Sequence, residues 1–291
     1  MDALYARMEE ISRVLMLLPR DCWTVDGNTN EITLTRQLTM NDWSFFRRNS
    51  RRVRMFGHPR NPTFLVSSST LDAICLLPLP PILPHLRVLK WTNEHFHGPF
   101  IRQLVGPELT TVSWNCIPFQ FFPLISLLGE TCQSLQFLSL AGIDGEEDIG
   151  ISQALENALP AMSSLRSLSL YTTSYRLLEI SASLPALEEL SFTPPDSDSR
   201  QSAPSKEFAI RKLYSESGSL GSFRNALRAM GHLSRLQTIK ALSPSPRVDE
   251  LTEFLAELCL YTNPDQLNAL SVMDESCWND GDLQEPQSSS I

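Results

Sequence analysis

One short phrase recurs along this chain: Leu-x-x-Leu-x-Leu, with Ile, Val, Trp or Phe accepted at its anchor positions. It stands at Leu86-Leu89-Trp91, Leu109-Val112-Trp114, Leu135-Leu138-Leu140, Leu165-Leu168-Leu170 and Leu187-Leu190-Phe192. Two degraded copies follow at Ile210-Leu213 and Leu236-Ile239, and Leu267-Leu270-Val272 closes the series. First anchors are 23, 26, 30, 22, 23, 26 and 31 residues apart. The last two anchors of each phrase are two positions apart, so they share one side of a strand. The first anchors the turn that enters the strand. One such unit cannot bury its apolar side alone. Neighbouring units, stacked, make a parallel sheet with a continuous core behind it.

Phrase and spacing match leucine-rich repeats, which run about 20–29 residues and carry a strand plus a helix or short turn each. The expectation is an α/β fold: an irregular leucine-rich-repeat solenoid, with a curved parallel sheet inside and helices and turns on the convex side. The two longest steps imply inserted loops. The usual Asn or Cys after the last strand anchor is missing, since Glu94, Ile117, Ile143, Thr173 and Pro195 stand there. The intervening segments predict return helices. Ile151, Leu155 and Leu159 are four apart; Phe223, Leu227 and Met230 share a face ahead of Gly231; Leu251, Phe254, Leu255 and Leu258 share another. The apolar run from Phe119 to Leu128 is predicted to break at Pro123.

Outside the phrases, residues 1–60 read as an N-terminal helical cap. An amphipathic helix is predicted over residues 2–18, with Leu4, Met8, Ile11 and Leu15 on one face and Pro19 as its end. Asp26-Gly27 signals a turn before a short strand at Ile32–Leu34. Thr39 or Asn41 is expected to cap a helix holding Trp43, Phe45 and Phe46. Residues 61–277 form the predicted solenoid, with a mobile loop at 193–206 rich in Pro, Ser and Asp. Residues 278–291 are polar and expected to be a disordered tail.

Net charge is −9 over 291 residues, but residues 1–60 sum to +3 and the remainder to −12. An acidic chain of this kind is a poor binder of nucleic acid or anionic membrane, so neither is an expected partner. The most apolar stretch, Ala73 to Leu86, is interrupted by Pro78, Pro80, Pro81 and Pro84 and cannot span a bilayer. The start of the chain does not read as a secretory signal. Six scattered cysteines form no CxxC pair. They read as reduced thiols, which implies an intracellular protein, cytoplasmic or nuclear.

Arg47, Arg48, Arg51, Arg52, Arg54 and Arg60 could hold an anion, but a solvated helix face with Val53 and Met55 in the core fits better. Glu94, His95 and His97, with His85 nearby, lack a recognisable zinc spacing, so no metal is expected. The run Asp144-Gly145-Glu146-Glu147-Asp148 lacks calcium-loop spacing and reads as a solvated loop. No phosphate-binding glycine loop occurs. No cysteine sits in a nucleophile signature, so no enzyme and no cofactor is expected. A Cys or Ser hydrolase assembled by the fold is the remote alternative.

More informative are the strand positions between and beside the anchors, which should face solvent. They are Arg87, Lys90, Thr92, Thr111, Ser113, Asn115, Gln136, Phe137, Ser139, Arg166, Ser169, Tyr171, Glu188, Glu189 and Ser191. Serine holds the middle position in Ser113, Ser139, Ser169, Ser191 and Ser271, an open floor for a partner. Phe137 and Tyr171 are candidate aromatic anchors.

The strings LMLLPRDCW, NEITLTRQLTMNDWSFFRRNSRRVRMF, ILPHLRVLKW, GPELTTVSW, SLQFLSL and ALEELSF, in this order, resemble the F-box and leucine-rich-repeat proteins of mushroom-forming fungi. The resemblance covers the chain from about Leu15 onward. It implies a substrate-recognition module: in that family the F-box docks on the Skp adaptor of a cullin ubiquitin ligase and the repeats hold a substrate protein. Only 18 residues precede Pro19, so the expectation is that the F-box is missing or truncated. The expected function is a protein–protein interaction scaffold resembling such a receptor. The alternative is an independent leucine-rich-repeat scaffold or regulator with no ubiquitin link.

Overall fold

The computed structural model describes residues 6–76, 81–92, 97–115, 117–141, 148–171, 174–195, 209–215, 218–244 and 246–274. The chain is mixed α/β, and among the described residues ten strands of the larger sheet run parallel. Its contacts divide it into two compact units. The first holds residues 1–171 and 184–187, the second residues 172–183 and 188–291.

In chain order the first unit has β1 (Arg7–Met8), α1 (Ile11–Leu15), β2 (Trp23–Val25), β3 (Glu31–Leu34), α2 (Met40–Ser50), β4 (Met55–His58), β5 (Leu65–Val66) and α3 (Ser68–Cys75). Then come β6 (Val88–Trp91), α4 (Gly98–Leu104), β7 (Thr111–Asn115), α5 (Pro123–Thr131), β8 (Phe137–Ala141), α6 (Asp148–Ala158) and β9 (Ser167–Leu170). Strands β1, β4, β6, β7, β8 and β9 pair in that order, all parallel. β3 pairs antiparallel with β2 and parallel with β5 in a small separate sheet.

The second unit holds α7 (Tyr175–Ala182), β10 (Glu189–Phe192), β11 (Lys212–Ser215), α8 (Leu220–Met230), β12 (Thr238–Ser243), α9 (Val248–Tyr261) and β13 (Ala269–Asp274). β10, β11, β12 and β13 pair parallel in sequence order.

One hydrogen-bond pattern recurs at each step and fixes the register. The carbonyl just ahead of a strand accepts two backbone N–H groups from the entry to the next. Ala6 accepts from Arg54 and Met55, Arg54 from Arg87 and Val88, Arg87 from Thr110 and Thr111, and Thr110 from Gln136 and Phe137. Gln136 accepts from Arg166 and Ser167. Within the second unit Glu188, Arg211 and Gln237 do the same. A one-residue slip would break these bonds and turn every anchor to the wrong face.

The anchors form the core. Leu86, Leu89, Trp91, Leu109, Val112, Trp114, Leu135, Leu138, Leu140, Leu165, Leu168 and Leu170 are all buried. Each such side chain contributes about 1.5–3 kcal/mol by leaving water. Helix residues close the other side: Phe100 of α4 meets Phe56 and Trp91, with ring centroids 6.3 and 6.5 Å away. In the second unit Phe192, Phe223 and Phe254 make a three-ring ladder from β10 through α8 to α9, with spacings of 5.7 and 5.5 Å. Gly129 lets α5 approach α6, since a Cβ there would lie 2.9 Å from the Ala158 carbonyl oxygen. Gly231 ends α8 at a φ of 79°, where a side chain would be strained.

The two degraded phrases are full members of the series. Ile210, Leu213, Leu236 and Ile239 are buried, and small Ser215 and Ala241 take the third anchor place. A further member escaped the sequence reading: Val53, Phe56 and His58, all buried, with His58 as third anchor. Met55, expected in the core, lies half-buried beside Val88 instead, because β4 alternates and Phe56 takes the inward place.

The helix expected over residues 2–18 is corrected. Among the described residues of that span, Arg7–Met8 is a strand and only Ile11–Leu15 is α-helical. Pairing of β1 with β4 occupies this backbone, and the Ser12 hydroxyl donates to the Glu10 carboxylate at 2.8 Å just ahead of the helix. Residues 1–60 therefore contribute two strands to the parallel sheet of the first unit. Pro123 does not break a helix but opens one: a 3-10 turn at Phe119–Phe121 precedes α5, where proline needs no N–H partner. Thr39 caps α2 in a capping box with Asp42, as the sequence allowed. Phe46 is buried, whereas Phe45 is exposed. The segments 196–206 of the expected mobile loop and 278–291 of the expected tail lie outside the described residues.

β13 differs from the strand beside it. Leu270 pairs with Ile239, yet it is 39% exposed while Ile239 is fully buried. Ile239→Ala is expected to cost about 2–5 kcal/mol and Leu270→Ala about 1 kcal/mol. Urea unfolding of both variants checks this, and equal losses would contradict the burial described.

Candidate functional site

Strand register sets the expected surface residues in rows. In the first unit Val88, Thr111, Phe137 and Ser167 stand side by side, and so do Lys90, Ser113, Ser139 and Ser169. Asn115 neighbours Ala141. All of these are half-buried, in alternation with the buried anchors. Arg87, Gln136 and Arg166 occupy the strand entries and are exposed, and Tyr171 follows β9 at 44% exposure. Met55 and Gly57 extend the two rows onto β4. The sequence reading missed them because histidine at the third anchor hid that phrase.

The second unit differs. Ser191 is followed along its row by Tyr214, Lys240 and Ser271, so the serine floor is interrupted. The Lys240 ammonium lies 5.7 Å from the Tyr214 ring centre. Glu189 pairs with Lys212 at 3.5 Å, and Glu188 is exposed at the strand entry. Lys212, Tyr214 and Lys240 were absent from the expected set, because the degraded phrases hid their strands.

Other expected constellations resolve into structural roles. His97 caps α4, its Nδ1 accepting from the Phe100 N–H at 3.2 Å. His85 Nδ1 lies 2.7 Å from the Glu108 carboxylate. Glu94, His95 and residues 144–147 lie outside the described residues. Among the described residues no three His, Cys, Asp or Glu side chains gather to hold a metal. Burial pushes the Cys22 and Cys75 thiols up to about 11, and that of Cys132 to about 12, so these three are protonated at neutral pH. A groove of about 670 Å³ near α3, α4 and α5 is lined in part by Cys75, Arg102, Gln103 and Phe121. Its Gln103 Nε2 donates to the Cys75 carbonyl at 3.4 Å. No described helix is long and apolar enough to cross a membrane.

Of the arginine cluster, Arg54 donates to the Arg51 carbonyl at 2.6 Å. Arg48 and Arg51 are exposed around the end of α2, with Val53 buried beneath. Arg36, by contrast, is a structural hub. It donates to Asp42 at 2.6 Å and to Asp21 at 2.7 Å, and its guanidinium holds the Asp42 carboxyl well below the usual carboxylate range.

His58 is buried against Trp91, with ring centroids 4.6 Å apart. Burial pulls its pKa down to about 4, against a weaker opposing pull from Glu10. The unfolded chain, with an ordinary histidine near ~6.5, therefore binds the proton that the folded chain refuses. Stability from this residue is full above about pH 6.5 and falls as pH drops toward 4, by about 3 kcal/mol or less. The His58→Phe variant is expected to show a flatter stability profile between those values in urea titrations. An unchanged slope would remove this assignment.

Comparison with protein-family models yields no match to the chain, and a search of curated proteins yields none either.

Proposed function

We propose that this protein is a leucine-rich-repeat solenoid that holds a protein partner on the uncovered face of its parallel strands. The observation that carries this reading is the pair of rows running across β4 to β9, backed by a buried apolar core. Helices occupy the opposite side, so the rows are left for contact. Small side chains at Gly57, Ser113, Ser139 and Ser169 allow close approach, and Phe137 and Tyr171 offer aromatic area. Recognition would rest on complementarity of shape and charge, with no chemical step. The resemblance to fungal F-box and leucine-rich-repeat proteins makes the substrate-recognition part of a ubiquitin-ligase receptor the leading form of this role. An independent scaffold uses the same face without a ligase.

Two variants test the face. Ser139→Trp fills the middle row, while Gln153→Trp places the same side chain at an exposed position of α6. Captured partners are expected to be lost with the first and kept with the second. Loss with both, or with neither, would contradict the reading. A binding assay with purified Skp adaptor and cullin scaffold then separates the two forms. Stable binding supports the receptor; absence of binding by the folded chain supports the independent scaffold.

A further inference from the structure

Charge is distributed unevenly over the candidate face. From β4 to β9 the described strand entries and outward strand positions carry Arg54, Arg87, Lys90 and Arg166, and no acid. This cationic stretch sits in a chain of net charge −9. The second unit is mixed at the same positions, with Glu188 and Glu189 among Arg211, Lys212 and Lys240. Glu108 of the first unit is engaged by His85 at 2.7 Å and feels Arg87 and Arg54 more weakly.

Arg87 and Arg166 are exposed, and neither forms an ion pair among the described residues. They enter β6 and β9, three strand spacings apart, which is about 14 Å at ~4.8 Å per spacing. An extended peptide crossing the strands rises ~3.4 Å per residue, so side chains four residues apart face the same way and span about 14 Å. Two carboxylates at that spacing would each meet a guanidinium fork. The residue midway between them faces the same way, over Thr110 and Gln136 and next to the row that holds Thr111 and Phe137.

We propose that the first unit's strand face takes an acidic protein segment of the form acid-x-apolar-x-acid, its carboxylates on Arg87 and Arg166 and its apolar residue on Phe137. This rests on the scaffold reading above and gives its partner a chemistry. A nucleic acid fits less well: it needs a continuous cationic track, and the negative remainder of the chain repels a long polyanion.

The test uses the full chain and a fluorescein-labelled peptide carrying Glu-Ser-Leu-Ser-Glu, its Gln-Ser-Leu-Ser-Gln counterpart and a labelled single-stranded oligonucleotide. The acidic peptide should bind about fivefold or more tightly than the amide form at low salt, each exposed pair adding a modest factor. That preference should shrink at high salt. It should vanish in Arg87→Gln/Arg166→Gln, a surface variant whose melting temperature should match the parent's. Equal binding of the two peptides, a preference retained in the double variant, or tighter binding of the oligonucleotide would each overturn the proposal. The Ser139→Trp and Gln153→Trp comparison decides the scaffold reading separately. Partners lost only with Ser139→Trp, together with no acidic preference, would leave the face standing and remove the charge assignment.

Discussion

Leu138→Asp is expected to unfold the first unit's sheet or to cost well over about 4 kcal/mol, while Ser139→Asp, one residue on, is expected to change stability by about 0.5 kcal/mol or less. Leu138 is fully buried and lies between Val112 and Leu168 in the register. A carboxylate there has no partner and must either stay charged in a dry core or bind a proton, and both are costly. Ser139 points to the opposite side, beside Ser113 and Ser169. Thermal melts and urea titrations of the two variants make the comparison. Equal midpoints would contradict the alternation on which the face depends.

Trp91→Ala carries the second large effect, about 3–5 kcal/mol. Trp91 is fully buried as the third anchor of its phrase and, among the described residues, lies beside the rings of His58, Phe56 and Phe100. Its centroid lies 4.6 Å from that of His58, 6.3 Å from Phe56 and 6.5 Å from Phe100. Removing the indole leaves a cavity where β4, β6 and α4 meet. Trp91→Phe keeps much of the volume and should recover more than half of the loss. A cost for Trp91→Ala near that of a surface substitution would mean that this cluster is not packed as described.

The strands were legible because two anchors two residues apart have one structural solution when neighbouring phrases repeat them. Val112 with Trp114 and Leu168 with Leu170 both follow that rule. The third anchor was a poorer guide. Ser215, Ala241 and His58 occupy it, all buried, without being large aliphatic residues. For that reason Val53-Phe56-His58 went unread and residues 1–60 looked like a helical cap. Met8 suits a helix face and a strand equally well; the Ala6 carbonyl, which accepts from Arg54 and Met55, decides for the strand. Such a partner, far along the chain, leaves no local trace.

The candidate face was legible position by position, because outward residues alternate with buried ones. Its composition across strands was not. Arg87 and Arg166 come to one face only through the pairings of β6, β7, β8 and β9. The same pairings make one floor of Ser113, Ser139 and Ser169, while Tyr214 and Lys240 interrupt the corresponding row of the second unit.

The most direct measurement of the central claim, that a partner rests on the strand face, is site-specific photo-crosslinking. A photoreactive residue would replace Ser113, Ser139 or Ser169 on the strands, or Gln153 on α6, one at a time in the full chain. Strong crosslinks to one partner from the three strand positions, and little from Gln153, are the expected result. Crosslinks arising chiefly from α6, with the strand positions silent, would contradict the account.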